Sequence, residues 1–154
     1  MFYNFLKKFG GFTSFTWDYE SGLVASAVPD FATVLTMDAD QQQQIGAFCG
    51  NVFATLTSPI TSCNSPAFGA TRVNIPAHGT ENDDKNPPRI APRHLFNAGL
   101  GFNNVFGTDR YKTAVRVTVT NLANTAALYN FESTFSGTHF VTPRSVQAEV
   151  ALTF

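Results

Sequence analysis

The chain has 154 residues, enough for one ordinary domain, with 14% charged and 14% aromatic residues, Phe alone occurring 16 times. Ordinary soluble domains carry roughly 25% charged residues, and a formal net charge of -1 supplies no basic stripe to neutralise phosphates, which excludes nucleic acid as a partner. No stretch approaches the ~20 apolar residues of a transmembrane helix, so a charge-poor, aromatic-rich chain of near-neutral mean hydropathy points to strands whose apolar and polar faces cancel in the average.

The segment Met1 to Gly11 carries Lys7 and Lys8, but Thr13, Ser14, Thr16 and Asp18 break up any apolar run after it, so it does not read as a signal peptide. Gly10-Gly11 marks a turn or bulge. Thr13, Phe15, Trp17 and Tyr19 then alternate against Ser14, Thr16 and Asp18, which predicts a first strand near 12–20. Trp17 and Tyr19 stand where an interfacial aromatic girdle would lie, although Phe15 and Trp17 in a soluble core fit nearly as well.

From 21 to 93 there is little period-two signal, and most of the prolines, including Pro87-Pro88, fall here. Such a segment is abnormal inside a compact domain and reads as one very long loop. Within it, Asp38 or Asp40 ahead of Gln41 to Gln44 and Ile45 is expected to cap one or two helical turns. A second strand near 94–103 alternates His94, Phe96, Ala98, Leu100 and Phe102 against Leu95, Asn97, Gly99 and Gly101; the small second face suits close approach by another group. A turn-rich connection comes next. A third strand near 111–121 sets Val115, Val117 and Val119 on one face and Ala114, Arg116, Thr118 and Thr120 on the other. An arginine among valines is awkward in a helix or a dry sandwich and natural in a water-filled barrel wall. After a second loop, 122–143, the strand 144–154 puts Val146, Ala148, Val150, Leu152 and Phe154 opposite Ser145, Gln147, Glu149, Ala151 and Thr153. Its length is that of a strand crossing a bilayer at a tilt.

Four features stand in order: Asn121-Leu122-Ala123-Asn124, the loop Ser133-Thr134-Phe135-Ser136-Gly137-Thr138-His139-Phe140, the pair Pro143-Arg144, and a last strand closed by Phe154. Together they resemble the C-terminal end of TonB-dependent outer-membrane receptors, particularly the Oar-like type. The likeness runs back through Asn82 to Asn97 and takes in Trp17 to Leu23, so it covers nearly the whole chain. It implies an all-β fold class: an antiparallel transmembrane β-barrel segment of about four C-terminal strands in two β-hairpins, with 21–93 and 122–143 as outer loops. Val115, Val117, Val119, Val146, Val150 and Leu152 would then face lipid, and Arg116, Gln147 and Glu149 the lumen. Phe154 would be the terminal aromatic read by the barrel assembly machinery. The complete receptor would be a gated transporter in the cell outer membrane, a plugged barrel on the order of 22 strands. Its partners would be outer-membrane lipid, a solute of unknown identity, and the TonB system acting through the plug. Signal peptide and plug domain being absent, the chain is expected to be the C-terminal piece of a longer receptor, with the rest of the barrel as its first partner.

Cys49 and Cys63 both lie in the long loop. A disulfide between them would close about 15 residues and contribute ~3 kcal/mol, and the oxidising periplasm would allow it on export; two unpaired thiols close by chance are the alternative. No cofactor or metal is expected, because His78, His94 and His139 lack ligand spacing and the cysteines form no C-x-x-C pair. Glu81, Asp83 and Asp84 offer oxygen ligands for Ca²⁺ without EF-hand spacing and read as a solvated acidic loop. The motifs of nucleophile elbows, zinc proteases and P-loops do not occur, and Ser133, His139 and Glu132 share one loop with nothing to order them as a triad. No enzyme is expected. Two rivals stand beside the receptor: a secreted, disulfide-containing all-β binding or adhesion module, and an outer-membrane barrel enzyme, which would need the triad that is not found.

Overall fold

The computed structural model describes residues 1–25, 27, 30–82, 84–108 and 110–153. Its strands are β1 (Phe2–Phe5), β2 (Gly11–Glu20), β3 (Ala47–Cys49), β4 (Val52–Phe53), β5 (Phe68–Ala70), β6 (Val73–Asn74), β7 (Arg89–Ile90), β8 (Arg93–Phe102), β9 (Lys112–Thr120), β10 (Leu128–Ser133), β11 (Gly137–Phe140) and β12 (Ser145–Thr153). Two short helices, α1 (Phe31–Thr36) and α2 (Ala39–Ile45), lie between β2 and β3. The chain divides into two bodies: residues 1–19, 94–126 and 142–154 form the first, and residues 20–93 with 127–141 the second.

The first body is one sheet in the order β1-β2-β8-β9-β12. Its long strands are the alternating runs rich in valine, threonine and phenylalanine, residues that fit a pleated surface. β9 and β12 pair without interruption from Ser145↔Thr120 to Thr153↔Lys112, and β8 joins β9 from Ala98↔Val119 to Phe102↔Val115. β2 meets β8 in opposing order, with the rings of Phe15 and Phe96 stacked at 5.9 Å and Trp17 Nε1 donating to His94 Nδ1 at 3.0 Å. β1 is a fifth strand beyond the four expected. It folds back onto β2 through a turn in which Leu6 (φ 48) and Gly10 (φ 58) are left-handed, and four residues are too few for alternation to announce a strand. Gly11 leaves a slot between two rings, where a Cβ would lie 2.9 Å from Phe5 and 3.1 Å from Phe102. Among the described residues the sheet stays open: β1 and β12 each pair along one side only. The architecture is therefore all-β and antiparallel, and no closed barrel is formed.

The segment 21–93, read from the sequence as one very long loop with one or two capped helical turns, carries two short helices, short strands and a core of its own. Ala25, Val34, Ile45, Ala47, Ile60, Val73 and Ile90 pack into one buried core, which Leu128 and Phe131 from β10 complete. Both expected loops thus fold together. The core residues are scattered singly, and the strands that carry them are often two or three residues long, so no period could be seen. The capping expectation falls on Asp38: its side chain accepts from Gln41 N–H while Gln41 returns a bond to the cap, and Gly46 closes α2 in the left-handed conformation. α1 also begins on an aspartate, without the returned bond. Asp30 accepts from the N–H and hydroxyl of Thr33, each at 2.9 Å, and the Thr33 backbone bond, with lesser help from its hydroxyl and from His78, holds the Asp30 carboxyl below its ordinary pKa.

The ends of the long segment are tied. Buried Arg93 is ion-paired to Glu20, and its guanidinium sits 4.7 Å from the Tyr129 ring centroid. That ring face meets a cation whose Nε and Nη1 have no hydrogen-bond partner. Gly22 (φ 87) passes so close to β7 that a Cβ would fall 1.8 Å from the Ile90 carbonyl oxygen, which no other residue could tolerate.

Cys49 and Cys63 form a disulfide, with Cα atoms 5.8 Å apart. Replacing both by serine is expected to cost about 3 kcal/mol through the freed loop of the unfolded chain. Hydrogen exchange across β3 and β5 should speed up accordingly; unchanged protection would show that the core alone holds this region.

Candidate functional site

Directly opposed residues of an antiparallel pair share a face. Val146↔Val119, Ala148↔Val117 and Val150↔Val115, with Ala98↔Val119, Leu100↔Val117 and Phe102↔Val115, build one continuous apolar face across three strands. Leu152, opposite Thr113, extends it, and the Phe15–Phe96 and Trp17–His94 contacts carry it onto β2. The six residues expected to face lipid therefore share one face. Arg116, Gln147 and Glu149 share the other, because Glu149 pairs with Arg116 and Gln147 with Thr118.

Among the described residues the apolar face is left uncovered at Val146, 67% exposed, Val150, 66%, Leu152, 69%, and Leu100, 50%. An exposed apolar face of this kind is a candidate interaction surface. Aromatic residues bound it at both ends. Where the long connections leave, the His94 ring lies 5.8 Å from Trp17 and 5.0 Å from Tyr19. Where the short turns lie, the rings of Phe5 and Phe102 meet edge to face at 5.8 Å. Those two turns are joined, Asn103 N–H donating to Gly10 O at 3.1 Å and Asn104 N–H to Phe9 O at 3.0 Å.

The opposite face is narrower in its chemistry. Phe12, only 7% exposed, stacks on Phe2 at 5.4 Å and lies 5.4 Å beneath the Arg116 guanidinium. The small residues of β8 make this possible. A Cβ on Gly101 would sit 2.7 Å from the Phe12 ring, and one on Gly99 would sit 2.6 Å from Ser14 Oγ. The group that approaches β8 is thus the neighbouring strand β2.

Asn121 (φ 50) turns the chain off β9. Its Nδ2 donates to Thr125 O at 3.0 Å and Thr142 O at 2.9 Å, its Oδ1 accepts from Thr125 N–H at 2.9 Å, and its own N–H donates to Asn97 Oδ1 at 2.9 Å. Asn124 Oδ1 accepts from Arg144 N–H at 3.0 Å and so sets the start of β12. Both asparagines of the Asn121-Leu122-Ala123-Asn124 pattern therefore shape the corner between β9 and β12.

The polar residues of the loop 127–141 do not form a triad. The Glu132 carboxylate is bonded to Gln41, Ser133 Oγ accepts from Ser136 Oγ at 3.2 Å, and His139 donates its backbone N–H to Asn130 Oδ1 at 2.8 Å. Among the described residues no three His, Cys, Asp or Glu side chains gather around a possible metal position, and no helix is long and apolar enough to cross a membrane. Asp83 and Phe154 lie outside the described residues. Alternation alone could not reveal the His94 contacts with Trp17 and Tyr19 or the Phe12–Arg116 stack, because both depend on inter-strand register.

No protein-family model matches the chain, and neither a curated protein nor a solved structure matches it. The receptor likeness therefore rests on the residue pattern alone.

Proposed function

We propose that the chain is a wall segment of an outer-membrane β-barrel, the C-terminal part of a TonB-dependent receptor of the Oar-like type, and that it works in solute uptake rather than catalysis. The observation that carries this reading is the uncovered apolar face of the sheet, backed by a polar face that bears Arg116, Gln147 and Glu149. Strands of nine or ten residues match the ~9–11 needed to cross a bilayer at a tilt. Connectivity adds support. The long connections, 21–92 and 121–144, leave the sheet at one end and the short turns, 6–10 and 103–111, at the other, as in barrels with long outer loops and short periplasmic turns.

The open edges define the partner. Five strands in antiparallel order leave β1 and β12 running the same way. A ring of copies of this chain would have to join β12 to β1 in parallel. An even, all-antiparallel barrel instead takes an odd number of further strands, which the rest of the receptor would supply, along with the plug through which the TonB system acts.

One observation favours the secreted binding module instead: the second body has its own buried core and disulfide. Solubility separates the two. In detergent-free buffer the chain is expected to aggregate through its open edges and apolar face, and in nonionic micelles to become monodisperse. A monodisperse 16.8 kDa species that unfolds cooperatively without detergent would overturn the membrane reading in favour of the module.

A further inference from the structure

We propose that Asn74, Lys85, Asn86 and Arg89 of the second body form a binding site for a small soluble oxyanion, a carboxylate or phosphate group carried by a solute. β6 and β7 pair Val73 with Ile90 and Asn74 with Arg89. Val73 and Ile90 point into the core, each 1% exposed, so the next pair along projects from the other side of the ribbon. There Asn74, Arg89, Lys85 and Asn86 line a cavity of about 250 Å³, walled also by Pro76 and Pro87. Lys85 reaches it from a pinned loop. Asn82 Oδ1 accepts from Asp84 N–H at 3.1 Å and Lys85 N–H at 3.0 Å, Asn82 and Asn86 exchange backbone bonds, and Asn86 Nδ2 donates to Thr80 O at 2.9 Å.

The cavity lining carries two cationic side chains, Lys85 and Arg89. Among the described residues neither Lys85 nor Arg89 is ion-paired, the two pairs present being His78–Asp30 and Arg93–Glu20, and no described carboxylate lines the space. A guanidinium takes a carboxylate or phosphate through two parallel bonds, and an ammonium adds a point charge beside it. A neutral sugar would leave both cations unmatched, and a metal cation would be repelled. Glu81 and Asp84 stand on the same loop, which opposes a large polyanion and leaves a small one as the occupant. The volume lies just under the ~300–1,000 Å³ of drug-sized sites, fitting one anionic group rather than a whole large ligand. The site stands on Asn74, Lys85, Asn86 and Arg89 and goes beyond the barrel reading.

The test is equilibrium dialysis of the full chain in nonionic micelles against labelled inorganic phosphate and, separately, citrate. Saturable binding of one probe per chain, weakened by salt, is expected for at least one of the two, and which one binds assigns the group. Arg89→Gln and Lys85→Gln should each lower affinity about tenfold or more, Arg89→Lys should recover part of the loss, and Arg144→Gln should change nothing. Lys85→Gln alters an exposed loop residue, so hydrogen exchange at Val73 and Ile90 should stay unchanged in that variant; it decides the matter even where Arg89→Gln fails to fold. Absence of saturable binding, or equal loss in Arg144→Gln, overturns the proposal. So would binding seen only on phosphatidylglycerol vesicles, since it would assign the cations to a lipid headgroup instead.

Discussion

Gln42→Ala is expected to destabilise the second body by about 3–5 kcal/mol. The side chain is fully buried and acts as a short strand for a segment that has none. Its Oε1 accepts from Ile60 N–H at 2.7 Å, and its Nε2 donates to Ile60 O at 3.0 Å, Val34 O at 2.9 Å and Met37 O at 3.3 Å. Truncation leaves buried backbone groups without partners, at ~1–3 kcal/mol each, and opens a cavity beside Val34 and Ile45. Gln42→Leu separates the two effects, since it keeps the volume and loses the bonds. Gln43→Ala, on the exposed side of the same helix, should stay within about 0.5 kcal/mol. Hydrogen exchange of the core amides in the micelle-held chain reads the difference. If Gln42→Leu behaves like Gln43→Ala, the Ile60 clasp contributes nothing.

Val150→Arg carries the other large effect. Val150 lies opposite Val115 on the apolar face and is 66% exposed. In a bilayer an arginine near the midplane costs ~2–4 kcal/mol, and the cost falls toward the interfaces. Gln147→Arg, opposite Thr118 on the polar face, should cost little. With the segment placed in the longer receptor proposed above, the heat-modifiable, membrane-inserted fraction on gels should drop for Val150→Arg and hold for Gln147→Arg. A soluble protein with another sheet packed dry against the polar face would reverse the order. Equal tolerance at both positions would remove the bilayer from the reading.

These two sites differ in how far the sequence announced them. The faces around Val150 were legible because a strand alternates its side chains strictly: Val146, Val150 and Leu152 share a side whatever the strand pairs with. Gln42 was visible only as one glutamine in a run of four. Its partner Ile60 lies 18 residues away in a segment without regular structure. The pair Cys49 and Cys63 falls between these cases: the spacing allowed a disulfide and left free thiols open, and the fold brings the two together.

What the residues determined by themselves is local. Alternation set the strands of the large sheet and their two chemistries, and Asp38 followed by Gln41 set the start of α2, since each acts over neighbours in the chain. The tertiary structure decided the rest: β1 as a fifth strand, an open rather than closed sheet, the folding of 20–93 with 127–141 into one body, and the meeting of Asn74, Lys85 and Arg89 around a cavity. β1 is too short for alternation to show it, and the two bodies and the cavity arise from contacts between single residues brought together from separate parts of the chain. Their free energy appears only when chain segments are brought together against conformational entropy, so no local pattern records them.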